Sequence, residues 1–213
     1  MLFVLSGEVR IGKSRWLEAL ISQLHRQGIP TYGVLSPGIW IASESEHADA
    51  NGFEKQGIQS VLLPGGERFR FAVRRDLIEG VDDGAGEEPL SWRGLGWRID
   101  DAALDRVNAH FREWGDRSFS QRHPGLLVVD ELGRLELQHE DGLIEALNVL
   151  QAGCCPSWPH SLVVVRRSLI DRAIERFGEP WGGAHLLVPD EKSARIVLET
   201  LDAQPVPLPE ETS

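Results

Sequence analysis

Residues 7 to 14 read Gly7-Glu8-Val9-Arg10-Ile11-Gly12-Lys13-Ser14, a fit to the pattern GxxxxGK[ST]. The pattern is restrictive because its chemistry needs a strand leading in and a helix leading out. Both are written in the flanks. Leu2-Phe3-Val4-Leu5 is an apolar run of the kind that forms a buried parallel strand. Beyond the motif, Leu17, Leu20, Ile21 and Leu24 recur at helical spacing, and Gly28 and Pro30 supply stop signals. The motif therefore sits at a strand-to-helix turn, the setting of a phosphate-binding P-loop. Glycines let successive backbone N–H groups turn toward phosphate oxygens, and the helix N-terminus adds its positive dipole end. The nucleotide-binding set expected here is Gly7, Glu8, Val9, Arg10, Ile11, Gly12, Lys13, Ser14 and Arg15. Lys13 would reach the β- and γ-phosphates, and the Ser14 hydroxyl would ligate Mg²⁺. Lysine occurs only at Lys13, Lys55 and Lys192, so Lys13 is no random draw from a lysine-rich surface.

A chain of 213 residues can bury a substantial core as one domain. The formal charge of −11 argues against general nucleic-acid binding, which needs a basic face. The amino terminus lacks a basic n-region, and no stretch approaches the ~20 apolar residues of a membrane span. A cytoplasmic protein is expected. Cys154 and Cys155 are adjacent, which suits neither a zinc site nor a disulfide framework, and free thiols are the expectation.

Along the chain, Thr31-Tyr32-Gly33-Val34-Leu35 reads as a second strand, closing a βαβ unit by parallel pairing with the first. From Ser36 to Asp100 glycine and proline become frequent and helical periodicity vanishes. Ile39 to Ile41, Ile58 to Leu63 and Phe69 to Val73 read as strands, with a hairpin turn at Pro64-Gly65-Gly66-Glu67. Residues 36–100 are thus expected to form an antiparallel insertion near the ligand. The acidic run from Glu79 to Glu88 reads as a solvated loop rather than a metal site. A helix follows from Asp101 to about Gly115, with Ala103, Leu104, Val107 and Phe111 on one face.

Leu126-Leu127-Val128-Val129-Asp130-Glu131 is an apolar strand running into two carboxylates, the form of a Walker B element. Such a strand can carry Asp130 to the same Mg²⁺ that Ser14 holds. Downstream, a helix is expected over residues 141–152, a strand from Ser161 to Val165, a helix from Ser168 to Phe177 and a strand from His185 to Val188. A final helix, capped by Asp190, ends near Leu201, and the proline-rich residues 203–213 read as a disordered tail. The expected architecture is α/β, a three-layer P-loop NTPase fold with a mostly parallel sheet, in a single domain over residues 1–202.

The segment Asp130-Glu131-Leu132-Gly133-Arg134-Leu135-Glu136 resembles the DEIGxME segment of the THEP-type nucleoside-triphosphatases. The likeness extends to Gly33-Val34-Leu35-Ser36-Pro37, Asn51-Gly52-Phe53, Gly96-Trp97-Arg98-Ile99-Asp100 and Arg166-Arg167. The resemblance implies a slow, Mg²⁺-dependent hydrolase acting on several nucleoside triphosphates (ATP or GTP among them), with a RecA-like mixed sheet. In two places the chain departs from that family. Arg10 stands where a glycine is usual, with its side chain either over the phosphates or away from them. Leu135 replaces a frequent methionine.

Glu131 is the candidate base for an attacking water, a role suited to a carboxylate beside a metal; the alternative is a surface carboxylate next to a buried Asp130. Arg166 and Arg167 are candidates for neutralising charge on the transferring group, with Arg134 a further one; each could instead pair with acidic neighbours. Trp40, Trp92 and Trp97 could stack a base or serve as packing anchors. Two rival functions stand beside hydrolysis. One is a P-loop kinase or molybdopterin-dinucleotide accessory protein, with an acceptor other than water. The other is a nucleotide-gated binding module with negligible turnover. No Asn-Lys-x-Asp motif supports guanine specificity, and no HExxH spacing supports a metalloprotease.

Overall fold

A computed structural model of the chain describes residues 1–8, 11–78, 95–115 and 123–202. Val9, Arg10, Trp92, the acidic run from Glu79 and the tail 203–213 lie outside those residues. The strands are β1 (Leu2–Leu5), β2 (Thr31–Leu35), β3 (Gly38–Ala42), β4 (Phe53–Leu63), β5 (Glu67–Arg74), β6 (Trp97–Ile99), β7 (Leu126–Leu132), β8 (His160–Val165) and β9 (Ala184–Leu187). The helices are α1 (Lys13–Arg26), α2 (Asp101–Gly115), α3 (Arg134–His139), α4 (Ile144–Ala152), α5 (Ile170–Phe177) and α6 (Glu191–Asp202).

All these strands join one sheet in the order β6-β5-β4-β2-β7-β8-β1-β9, with β3 on the other flank of β4's free half. The run from β2 to β9 is parallel, and β3 to β6 are antiparallel additions attached through the β2–β4 pair. The sheet is covered on both faces, which is why its central strands read as continuous apolar runs. Alternation sorts their side chains. Leu2, Val4, Val34, Leu127, Val129, Val163 and Val165 pack with Val107, Phe111, Leu147, Leu150 and Phe177 of α2, α4 and α5. Phe3, Leu5, Leu35, Val128, Leu162 and Val164 pack with Leu17, Leu20, Ile21 and Leu24 of α1 and Val197 and Leu201 of α6. Helices, sheet and helices make three layers. Gly33 shows how closely β2 and β7 approach: its φ is +101°, and a Cβ there would lie 2.1 Å from the Val128 carbonyl oxygen.

The expected pairing of the first two strands is not found. Between β1 and β2 stand β8 and β7, and β1 is flanked instead by β8 and β9. Leu2 to Leu5 are fully buried, so this strand needs a parallel neighbour on each side, and the sequence does not say which of the later apolar runs provides it. The helix expected over residues 141–152 begins at Ile144, and the short α3 precedes it. The helix expected from Ser168 opens with a 3₁₀ turn, Arg167–Leu169, before α5. Asp190 does cap α6, its Oδ1 accepting the Ser193 N–H at 2.7 Å. No helix among the described residues is long and apolar enough to cross a membrane.

Candidate functional site

The strand order β7-β8-β1 sets three carboxyl ends side by side. Val164 of β8 is registered with Leu5 of β1 on one side and with Asp130 of β7 on the other. With strands about 4.8 Å apart, the turn after β1 and the acids ending β7 stand at the same level, roughly 10 Å from each other. Ligands of open α/β sheets bind outside this edge.

The motif after β1 turns into α1 at Gly12, whose φ of +92° is one that side-chain-bearing residues rarely adopt. Lys13 opens the helix, and its Nζ donates to the carbonyls of Gly7 and Glu8, both at 3.0 Å. The ammonium thus gathers the start of the loop around itself. Ser14 is half-buried in the first turn, while Ile11 and Arg15 are exposed. Trp16 ties α1 to the segment after β9 by donating its Nε1–H to the Asp190 carbonyl at 2.8 Å.

Asp130 is only 2% exposed. Its Oδ2 accepts the Ser36 N–H at 3.0 Å, and the Ser36 hydroxyl donates to the Asp130 carbonyl, so the end of β2 fixes the end of β7. Burial pushes the Asp130 carboxyl up to about 6. The Ser36 N–H opposes that rise, neighbouring Glu131 adds to it, and Lys55 opposes it. A desolvated carboxylate at the ligand edge of the sheet is suited to a cation.

Glu131 is half-exposed and takes an ion pair from Arg166, Nε to Oε1 at 3.1 Å. With both side chains well solvated, such a pair contributes about 0–1 kcal/mol, so it orients the glutamate more than it binds it. Arg167 pairs with Glu8 in the loop at 2.5 Å. The two arginines of the β8 end therefore do have acidic partners, and those partners are themselves among the site residues expected from sequence. Arg134, on the exposed surface of α3, also has a partner.

Sequence reasoning missed two contributors. Ser36, which anchors Asp130, stood only in a stretch of general likeness. Lys55 carries a half-buried ammonium whose pKa burial lowers, opposed first by Glu131 and then by Asp130, while Arg166 and Lys13 add to the fall. The scarcity of lysine could have drawn attention to it. Trp97 lies against this ammonium, its ring centre 5.1 Å from Nζ, and Trp40 is more than a third exposed on β3.

Among the described residues no group of three or more His, Cys, Asp or Glu could enclose a metal ion. One aspartate and one serine hydroxyl fit an ion that takes its remaining ligands from water and phosphate, as Mg²⁺ does. The donor set fits Mg²⁺ with a polyphosphate.

No protein-family model matches the chain, and no curated protein matches it. Its fold is similar to the solution structure of a human cancer-related nucleoside triphosphatase, with a TM-score of 0.61 and 17% identity over 95% of this chain and 98% of that one. At that identity the likeness is one of fold: the chain has the three-layer α/β P-loop NTPase architecture, a mostly parallel sheet with an antiparallel extension.

Proposed function

We propose that the protein is a Mg²⁺-dependent nucleoside triphosphatase of broad base tolerance, of the THEP type that its sequence resembles. One observation carries the reading: neighbouring strand ends bring a GxxxxGKS turn, a buried aspartate followed by a glutamate, and an arginine to one sheet edge. The likeness in fold to a human nucleoside triphosphatase supports it. In this reading the loop N–H groups and the N-terminus of α1 receive the phosphates, and Lys13 exchanges the Gly7 and Glu8 carbonyls for phosphate oxygens. Ser14 and Asp130 would hold Mg²⁺, which would supply positive charge against the phosphates. Glu131, steadied by Arg166, orients a water in line with the γ-phosphorus and accepts its proton. A phosphorus–oxygen bond forms to that water as the bond to the bridging oxygen breaks, and the nucleoside diphosphate leaves with the electron pair. Arg166 and Arg167 are also within the charged group that can neutralise the transferring phosphoryl.

The test is phosphate release by the purified protein from ATP, GTP, CTP and UTP, with and without Mg²⁺. Release from several of the four, only with Mg²⁺, is expected; release from none contradicts the proposal. Glu131→Gln should keep nucleotide binding and lower turnover ~10²-fold or more, the usual range for removing a general base. The Arg166 ion pair on Glu131 favours a second reading, a nucleotide-gated binding module, because the guanidinium already engages Oε1 of the carboxylate that would have to receive the water's proton. Equal, very slow release by wild type and Glu131→Gln would favour that reading.

A further inference from the structure

Lys55 belongs to neither nucleotide motif, yet the sheet delivers it to the same place. β4 is longer than the strand it pairs with: only Val61, Leu62 and Leu63 lie opposite Leu35, Val34 and Gly33 of β2. Because the two are antiparallel, Phe53 to Ser60 continue past the carboxyl end of β2, beyond the edge where Asp130 and Glu131 stand. This overhanging half is not a loop. β3 pairs with one side of it, Trp40 opposite Lys55, and β5 with the other, Val73 opposite Gly57.

Alternation sends neighbouring side chains to opposite faces. Glu54, 5% exposed, is held by the hydroxyls of Ser43 and Ser45 and by Arg74. Arg74 also donates to the Lys55 carbonyl at 3.3 Å, so the backbone that carries Lys55 is clamped from behind. On the other face the Lys55 stem runs past Gly38, where a Cβ would lie 2.8 Å from Cε, and the ammonium rests 5.1 Å from the centre of the Trp97 ring. The overhang stands past the end of β2, whose other neighbour is β7 with its two terminal acids, and there the ammonium interacts electrostatically with Glu131, Asp130, Arg166 and Lys13. A half-buried ammonium on a rigid strand, gathered with two further cations around two acids, is an arrangement that gains when an anion enters.

We propose that Lys55 is a phosphate-contacting residue which, resting on the nucleotide-binding reading above, meets the terminal phosphate of a nucleoside triphosphate and makes the antiparallel insertion a sensor of triphosphate against diphosphate. The terminal phosphate is the fitting partner because Lys55 stands with Glu131 and Asp130, the groups that flank the reacting phosphorus in that reading, whereas Lys13 approaches from the loop. Fixed strand geometry means little ordering is needed on binding, and a charge-assisted hydrogen bond to phosphate is among the stronger single contacts.

The experiment is calorimetric titration, in Mg²⁺, of wild type, Lys55→Met, Lys55→Arg and Lys13→Ala with a non-hydrolysable triphosphate analogue and with the matching diphosphate. Lys55→Met should weaken the analogue at least about tenfold (~1.4 kcal/mol) and the diphosphate by no more than about twofold, with Lys55→Arg recovering most of the loss. A role confined to packing on Trp97 would move both affinities alike, and that result, or no change, overturns the proposal. Should Lys55→Met melt early, Lys55→Gln keeps the stem and answers the same question. Wild type that binds neither nucleotide removes the nucleotide reading and this one with it. Wild type that binds both, with Lys13→Ala binding neither and Lys55→Met unaltered, removes the Lys55 assignment alone.

Discussion

Asp130 lies almost wholly out of water, and its carboxyl titrates near 6 rather than near its ordinary 3.8 because burial penalises the charged form. A folded-state value raised above the unfolded one means that the stabilising contribution is complete below about pH 3.8 and is lost as pH rises through about 6. At neutral pH the charge is therefore a cost to the unliganded fold, kept where a cation can offset it. Asp130→Asn preserves the shape and the acceptor for the Ser36 N–H while removing the charge. We expect the unliganded variant to gain on the order of 3 kcal/mol over wild type at pH 7.5 and less than ~1 kcal/mol near pH 4. Urea denaturation at the two pH values reads the difference. A variant less stable than wild type at pH 7.5 would mean that Lys55, whose charge opposes the shift, already compensates the aspartate.

At the scale of elements, what a run of residues announces depends on whether its own period carries the information. β1, β7 and β8 were legible because each contains four apolar residues in a row, a pattern typical of strands covered on both faces. α1 and α2 were legible from one apolar stripe each, and β3 to β5 from β-branched and aromatic runs bounded by glycine and proline. α3 was not. It has six residues, and the position that should complete its apolar face is Glu136, a buried carboxylate. That carboxylate is structural: Oε2 accepts the Gly133 N–H at 2.8 Å and Oε1 the Leu143 N–H at 3.3 Å, closing the start of α3 against the turn before α4. Glu136→Ala leaves two backbone donors without acceptors and should destabilise by ~2–4 kcal/mol, read as a fall in the urea midpoint at unchanged slope. An effect below ~1 kcal/mol would show that water replaces the carboxylate. Strand order was equally illegible, since local patterns fix which residues form strands and not which strands meet. For the same reason the GKS turn and the twin acids were readable as motifs, while Ser36 and Lys55, which join the site only through long-range pairing of β2 with β7 and β4, were not.

The whole molecule carries a formal charge of −11, which at long range repels a polyphosphate. In the proposed reading binding is therefore local, resting on Lys13, Lys55, Arg166 and Arg167 near one sheet edge and on a divalent cation at Asp130. Anything that binds only the folded state stabilises it by mass action, ~2.7 kcal/mol at a hundred times the dissociation constant. For a domain of this size that corresponds to a rise in Tm of about 5–10 °C. We expect this rise for wild type with Mg²⁺ and a non-hydrolysable triphosphate, a much smaller one with the nucleotide alone, and none for Lys13→Ala under any of these conditions. The Lys13 side chain is only half-buried, and its bonds run to two loop carbonyls that water can reach, so the variant should melt unliganded within a few degrees of wild type. The comparison thus separates loss of the ligand from loss of the fold. If the wild-type melting curves with and without Mg²⁺ and nucleotide superimpose, the sheet edge formed by β7, β8 and β1 does not bind a nucleoside triphosphate, and each catalytic role assigned to its side chains falls with it.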